Sequence, residues 1–186
     1  TLTVDDGREI YLSLKSGNTV TFVNAGIKKL FTNKFFAGEE LTGNGETLLN
    51  MFNIDNDKFR AVFTNYHGKT VGKKSKSEKE IVDITSKLNN NKIFDEFVRS
   101  VIGYGFIMVH QISGDNVEFI SFLTENDLNK FVSNIEYAKV YYPMDGKAKR
   151  VDIIVRYPNI EFKFNIRSKD GGILPTHLMA DYKFIK

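Results

Sequence analysis

Apolar and polar residues alternate with a period of two where the chain begins. From Glu9 to Lys15, Ile10, Leu12 and Leu14 fall on one side and Glu9, Tyr11, Ser13 and Lys15 on the other, which is the pattern of a strand. Thr1-Leu2-Thr3-Val4 reads as its partner, and Asp6-Gly7 between them is a two-residue hairpin signal. In that register Val4 faces Glu9, Leu2 faces Tyr11, and Ser13 faces the residue just before Thr1. A start in mid-strand with no Met reads as a chain that lacks its first residues. A further β-like run covers Thr19 to Val23, after which Ile27, Leu30 and Phe31 take helical spacing over Ala25 to Phe36. Glu46 to Ile54 predicts a second helix with Leu48, Leu49 and Phe52 inward.

A short apolar run, Phe59 to Tyr66, precedes the polar segment His67 to Lys79. Glu78 to Ile102 has the stripe of a long helix, interrupted at Asn89-Asn90-Asn91. Tyr104–Ile112 and Val117–Leu123 read as strands, and Thr124 as the N-cap of a helix over Glu125 to Ile135. Tyr137–Tyr142, Arg150–Tyr157, Ile160–Arg167 and Met179–Ile185 are strand candidates, with Pro158-Asn159 a tight turn between two of them. The order of elements predicts an α/β or α+β fold, a central mixed sheet flanked by helices, with a β-rich C-terminal part. The 186 residues fit one domain, within which 136–186 is a candidate β-rich subdomain.

Composition narrows the chemistry. With no cysteine, disulfides, thiolate metal sites and Cys nucleophiles are excluded. A hydrophobic fraction of 41%, with 16 Phe and 8 Tyr, is enough for a packed core. The net charge of +3 is compatible with nucleic-acid or phosphate binding without requiring it. No apolar run approaches the ~18 residues of a membrane span and no signal peptide is visible, so a cytoplasmic protein with no membrane partner is expected. Heavy use of Asn, Lys, Ile and Phe suits a microbial or viral genome rich in A and T.

Tyr11-Leu12-Ser13-Leu14-Lys15, on the second strand of the opening hairpin, resembles the strand on which PD-(D/E)xK nucleases, the restriction-endonuclease-like family, keep Glu-x-Lys. The resemblance implies a restriction-endonuclease-like core and a DNA-acting hydrolase of phosphodiester bonds that uses Mg²⁺. In the family, carboxylates hold the hard cation while Lys orients the attacking water. Lys15 would take the Lys role, and Ser13, standing where the family has Glu, would reach the metal through its hydroxyl or a water. The main ligand, an Asp, would lie upstream of Thr1; Glu9 would assist only if the strand twists it inward. The alternative is that Ser13 and Lys15 are the solvent face of an amphipathic strand.

Asp152 with Glu161-Phe162-Lys163 is a rival set that fits the family's string better. With Pro158-Asn159 as the turn, however, Arg156 faces Glu161, Ile154 faces Lys163 and Asp152 faces Asn165. Asp152 and Glu161 are then four positions apart on the ladder, about 13 Å, too far for one cation. Glu161, Lys163, Asn165 and Arg167 point outward in this reading, and Ile160, Phe162, Phe164 and Ile166 inward.

Two basic stretches could contact phosphate: the loop His67 to Ser77, with Lys73, Lys74 and Lys76, and the turn Arg167-Ser168-Lys169-Asp170-Gly171-Gly172, with Arg167 and Lys169. A solvated loop and an ordinary hairpin turn are their respective alternatives. His67, His110 and His177 are scattered, and His110 reads as a core histidine. DNA is the expected partner, a homodimer is compatible, and the functional readings are a metal-dependent nuclease, active or not, or a non-enzymatic nucleic-acid-binding or phage accessory or assembly protein.

Overall fold

The computed structural model describes residues 1–17, 20–68, 78–114, 116–170 and 172–185. Ten strands form two sheets: β1 (Leu2–Thr3), β2 (Glu9–Ser16), β5 (Phe106–Ser113) and β6 (Asn116–Phe122) in one, and β3 (Val20–Gly26), β10 (His177–Phe184), β9 (Ile160–Arg167), β8 (Arg150–Arg156), β7 (Tyr137–Pro143) and β4 (Lys79–Asp83), in that order, in the other. The six-stranded sheet is antiparallel throughout, whereas β2 and β5 pair in parallel within the smaller one. The helices are α1 (Asn33–Phe36), α2 (Asn44–Met51), α3 (Asn56–Thr64), α4 (Thr85–Asn89), α5 (Lys92–Ile102) and α6 (Glu125–Asn129). The fold is α+β with a β-rich C-terminal part. Among the described residues no helix is long and apolar enough to cross a membrane.

The large sheet packs its apolar side chains on one face. Val151, Ile153 and Val155 of β8, Phe162, Phe164 and Ile166 of β9, and Leu178, Ala180 and Tyr182 of β10 point to that side and are all buried. Phe52 of the α2 C-terminus and Phe94 and Phe97 of α5 pack on Phe164 at 5.2, 6.2 and 5.8 Å between ring centroids. The small sheet meets the same face where the Tyr182 hydroxyl donates to Sδ of Met108. Burial pushes the Tyr182 and Tyr157 phenols up, so both stay neutral and pack as apolar bodies. The alternation predicted for β9 holds on this side, and the hairpin register is the predicted one: Arg156 opposite Glu161, Ile154 opposite Lys163, Asp152 opposite Asn165. Tyr157 N–H donates to Ile160 across the Pro158-Asn159 turn.

Other expectations are corrected. The opening hairpin has a three-residue turn, Asp5-Asp6-Gly7: Gly7 N–H donates to Val4, Val4 N–H to the carbonyl of Arg8, and Gly7 sits at φ +80°. Thr3 therefore faces Glu9 and Leu2 faces Ile10. This one-residue slip turns every β1 side chain to the other face, so the residue just before Thr1 does not stand opposite Ser13. The stretch read as a helix from Ala25 begins as the end of β3, passes through a 3₁₀ turn at Lys28–Leu30 and reaches α1 only at Asn33. Phe59 to Tyr66 is most of a helix, α3, which buries Phe59, Val62 and Phe63. The predicted long helix from Glu78 starts with β4 instead. Apolar residues at 81, 82 and 84 suit either period, and pairing of β4 with β7 decides the outcome. The Asn-rich break is real: Asn91 caps α5, its side chain accepting from Phe94 N–H at 3.1 Å. The helix after Thr124 ends at Asn129, short of Ile135.

Candidate functional site

The other face of the six-stranded sheet is polar, and among the described residues no helix packs on it. Because directly opposed residues of an antiparallel pair point the same way, its side chains form rows across the strands. One row runs Ile81, Tyr141, Asp152, Asn165, Met179 and Asn24 from β4 to β3. A second runs Asp83, Lys139, Ile154, Lys163, Asp181 and Thr21. At one end of these rows lie Lys79, Arg150, Arg167 and His177; at the other lie Tyr137, Arg156, Glu161 and Lys183. Basic side chains outnumber carboxylates on this face.

Asp152 is its anchor, only 4% exposed. Arg150 Nη2 donates to Oδ2 at 2.9 Å and its Nε lies 2.7 Å from Oδ1 as an ion pair, while Oδ1 accepts no hydrogen bond. Lys79 and Lys163 place their ammonium groups 3.8 Å from Oδ2. The three cationic side chains stay 36%, 39% and 42% exposed, so the carboxylate fixes them without using up their donors. Beside Asp152, Asn165 is buried and its Oδ1 has no partner. Arg167 donates to Sδ of Met179 while its Nε is left without a partner.

Glu161 lies in a separate cluster. It accepts from the Tyr137 hydroxyl at 2.7 Å and from Arg156 at 3.4 Å, and Lys183 Nζ lies 2.8 Å from its other oxygen. Burial opposes its ionisation, yet the bonds from Lys183 and Tyr137 and the charge of Arg156 outweigh burial and hold the carboxyl below its ordinary value. The same bond to Glu161, helped by burial, pushes the Tyr137 phenol up to about 12.

A groove of about 420 Å³ opens at the β4–β7–β8 end of this face, walled by Lys79, Ile81, Tyr141, Pro143, Ala148 and Arg150, with Asp152 as its floor. Of the rival set, the fold thus joins Asp152 to Lys163 and leaves Glu161 with other partners. One carboxylate already held by three cations does not suit a divalent ion, which wants several free oxygens. Among the described residues no group of three or more His, Asp or Glu is placed to hold a metal ion.

Ser13 and Lys15 lie elsewhere, on the side of β2 that faces the rest of the molecule. Ser13 is next to buried Met108 and Lys15 next to buried His110. Lys15 Nζ donates to the carbonyl of Thr21 at 3.2 Å and so ties β2 to β3, and His110 Nε2 lies 2.7 Å from the carbonyl of Gly17 just past the end of β2. Leu14, on the predicted inner side, is 74% exposed, while Tyr11, on the predicted outward side, is 59% exposed, so the predicted division of faces holds for Glu9 and Tyr11 and fails from Ser13 to Lys15. Among the described residues no carboxylate joins Ser13 and Lys15 into a metal set.

In the second basic stretch, Lys169 Nζ donates to Asn24 and Lys149 Nζ to the carbonyls of Asp170 and Gly172, which knits the turn to the rest of the sheet end. Lys73, Lys74 and Lys76 lie outside the described residues. The residues that sequence reasoning missed are Lys79, Tyr141 and Arg150. Arg150 was within reach, two positions before Asp152 on the same strand face; Lys79 was hidden in a segment read as helix. Comparison with models of known protein families, with curated proteins and with solved structures finds no match to this chain.

Proposed function

We propose that this protein binds nucleic acid by its phosphates, through the polar face of the six-stranded sheet, on which no helix packs among the described residues. The observation that carries the reading is Asp152, a buried carboxylate that holds Arg150, Lys79 and Lys163 in place with donors to spare. Lysines free in solution lose rotamer entropy when they engage a phosphate; lysines already pinned lose less. Arg156, Arg167 and Lys183 extend the basic surface along the strands, with Lys169 at its margin. Contacts of this kind position a nucleic acid without reading its sequence.

The test is fluorescence anisotropy of a labelled DNA oligonucleotide at graded KCl concentration. Each phosphate contact contributes about −0.9 to the slope of log K against log salt for duplex DNA, so Lys163→Gln and Arg150→Gln should each make the slope shallower by about one. Binding that is undetectable, or indifferent to salt, would remove the proposal. Metal-dependent cleavage is the second reading: Asp152 and Lys163 stand side by side, and a cation would have to displace the basic side chains from that carboxylate. The same titration with Mg²⁺ or Mn²⁺ added decides it: strand scission lost in Lys163→Ala would establish a nuclease, and intact DNA leaves the binding module.

A further inference from the structure

The groove over Asp152 is lined by two unlike sets of groups. Arg150 and Lys79 line it, Lys163 reaches the same carboxylate from outside the lining, and three positive charges less one negative leave two. Tyr141, Pro143 and Ile81 supply the apolar lining, and Ile81 projects 55% exposed. Its volume of about 420 Å³ falls in the range that holds one small ligand. A phosphodiester carries one negative charge, whereas a phosphomonoester carries about −1.5 to −2 at neutral pH. The bases of a duplex are stacked on each other and present no ring face to a wall; a strand end or a free nucleotide does.

We infer that this groove takes a nucleotide unit bearing a terminal phosphate, with the phosphate on Arg150 and Lys79 and the base or sugar against Tyr141 and Ile81. The inference rests on the nucleic-acid reading above and adds a ligand class to it. The Lys79 ammonium lies 5.7 Å from the centroid of the Tyr141 ring and 3.8 Å from Asp152, so it borders both the phosphate position and the ring. A base stacked on an aromatic ring is held more strongly than an exposed ammonium above one, so the ring favours the nucleotide.

The experiment is calorimetric titration of the whole chain with adenosine monophosphate, adenosine and inorganic phosphate, beside anisotropy with 5′-phosphorylated and 5′-hydroxyl forms of one single-stranded oligonucleotide. Adenosine monophosphate should bind about tenfold more tightly than either of its parts. The phosphorylated strand should outbind the unphosphorylated one by a similar factor. Tyr141→Ser should lose that advantage for adenosine monophosphate while leaving inorganic phosphate unchanged, and Tyr141→Phe, which keeps the ring, should retain it. Equal, salt-dependent binding of the two oligonucleotides, with no advantage for adenosine monophosphate, overturns the terminal-phosphate site and leaves the backbone reading standing. Tight adenosine monophosphate with no oligonucleotide affinity supports the site and overturns the polymer reading alone.

Discussion

Asp152 and Lys15 are both charged side chains drawn away from water, and they answer to different masters. Lys15 serves the chain itself, through the carbonyl of Thr21. Lys15→Met should therefore leave oligonucleotide affinity unchanged and lower stability by about 1 kcal/mol, the usual net worth of one hydrogen bond. Urea unfolding alongside anisotropy checks both; a loss of binding without a loss of stability would return Lys15 to the functional surface. Its neighbour Leu14 should tolerate Ser within about 0.5 kcal/mol, since it has little contact to lose. Asp152→Asn leaves three cations facing one another. Removing a partner from a fully buried pair costs about 3–5 kcal/mol, but these cations keep much of their hydration, so a smaller loss of about 1–2 kcal/mol is expected. Asp152 and Lys163 were legible in the chain only as members of a rival metal set with Glu161; that Arg150 and Lys79 complete a different set depended on strand pairings that no local pattern encodes.

Among the elements, the two hairpins show what turn chemistry does and does not reveal. Pro158-Asn159 admits one short turn, and its register follows. Asp6-Gly7 admits two, because a glycine at positive φ serves a two-residue turn and closes a three-residue one equally well; here the Asp6 carboxylate accepts from the N–H and Nε of Arg8 within the three-residue turn, and the register slips. The start of α6 was legible because its cap is local. Thr124 accepts from Asp127 N–H at 3.2 Å while the Asp127 carboxylate accepts from Thr124 N–H at 3.1 Å. Thr124→Ala should cost about 1 kcal/mol in thermal unfolding. Lys130, then Thr124, hold the Asp127 carboxyl down to about 2 from its ordinary 3.8. The unfolded chain thus takes up the proton first, and this cap stabilises fully above pH 4 or so and fades as pH falls toward 2. An NMR titration of Asp127 should show the low midpoint, and Thr124→Ala should raise it; a midpoint at the ordinary value would mean the cap is absent in solution.

At the scale of the whole molecule, the layered α+β plan was legible from the order of helical and strand-like periods, but the division into two sheets was not. Which strands join is settled by distant partners: β3 lies against β10, β4 against β7, and β2 against β5. Those pairings have an outcome in time. The run β7 to β10 is a meander of neighbours in sequence, cheap to close, whereas β3 must wait for β10 and β2 for β5. Pulsed hydrogen exchange during refolding should find β8 and β9 amides shielded first and those of β2 and β3 last; simultaneous shielding would contradict this order. A chain emerging from the ribosome would then carry β3 unpaired until β10 arrives, a long interval in which chaperones have their best chance to act.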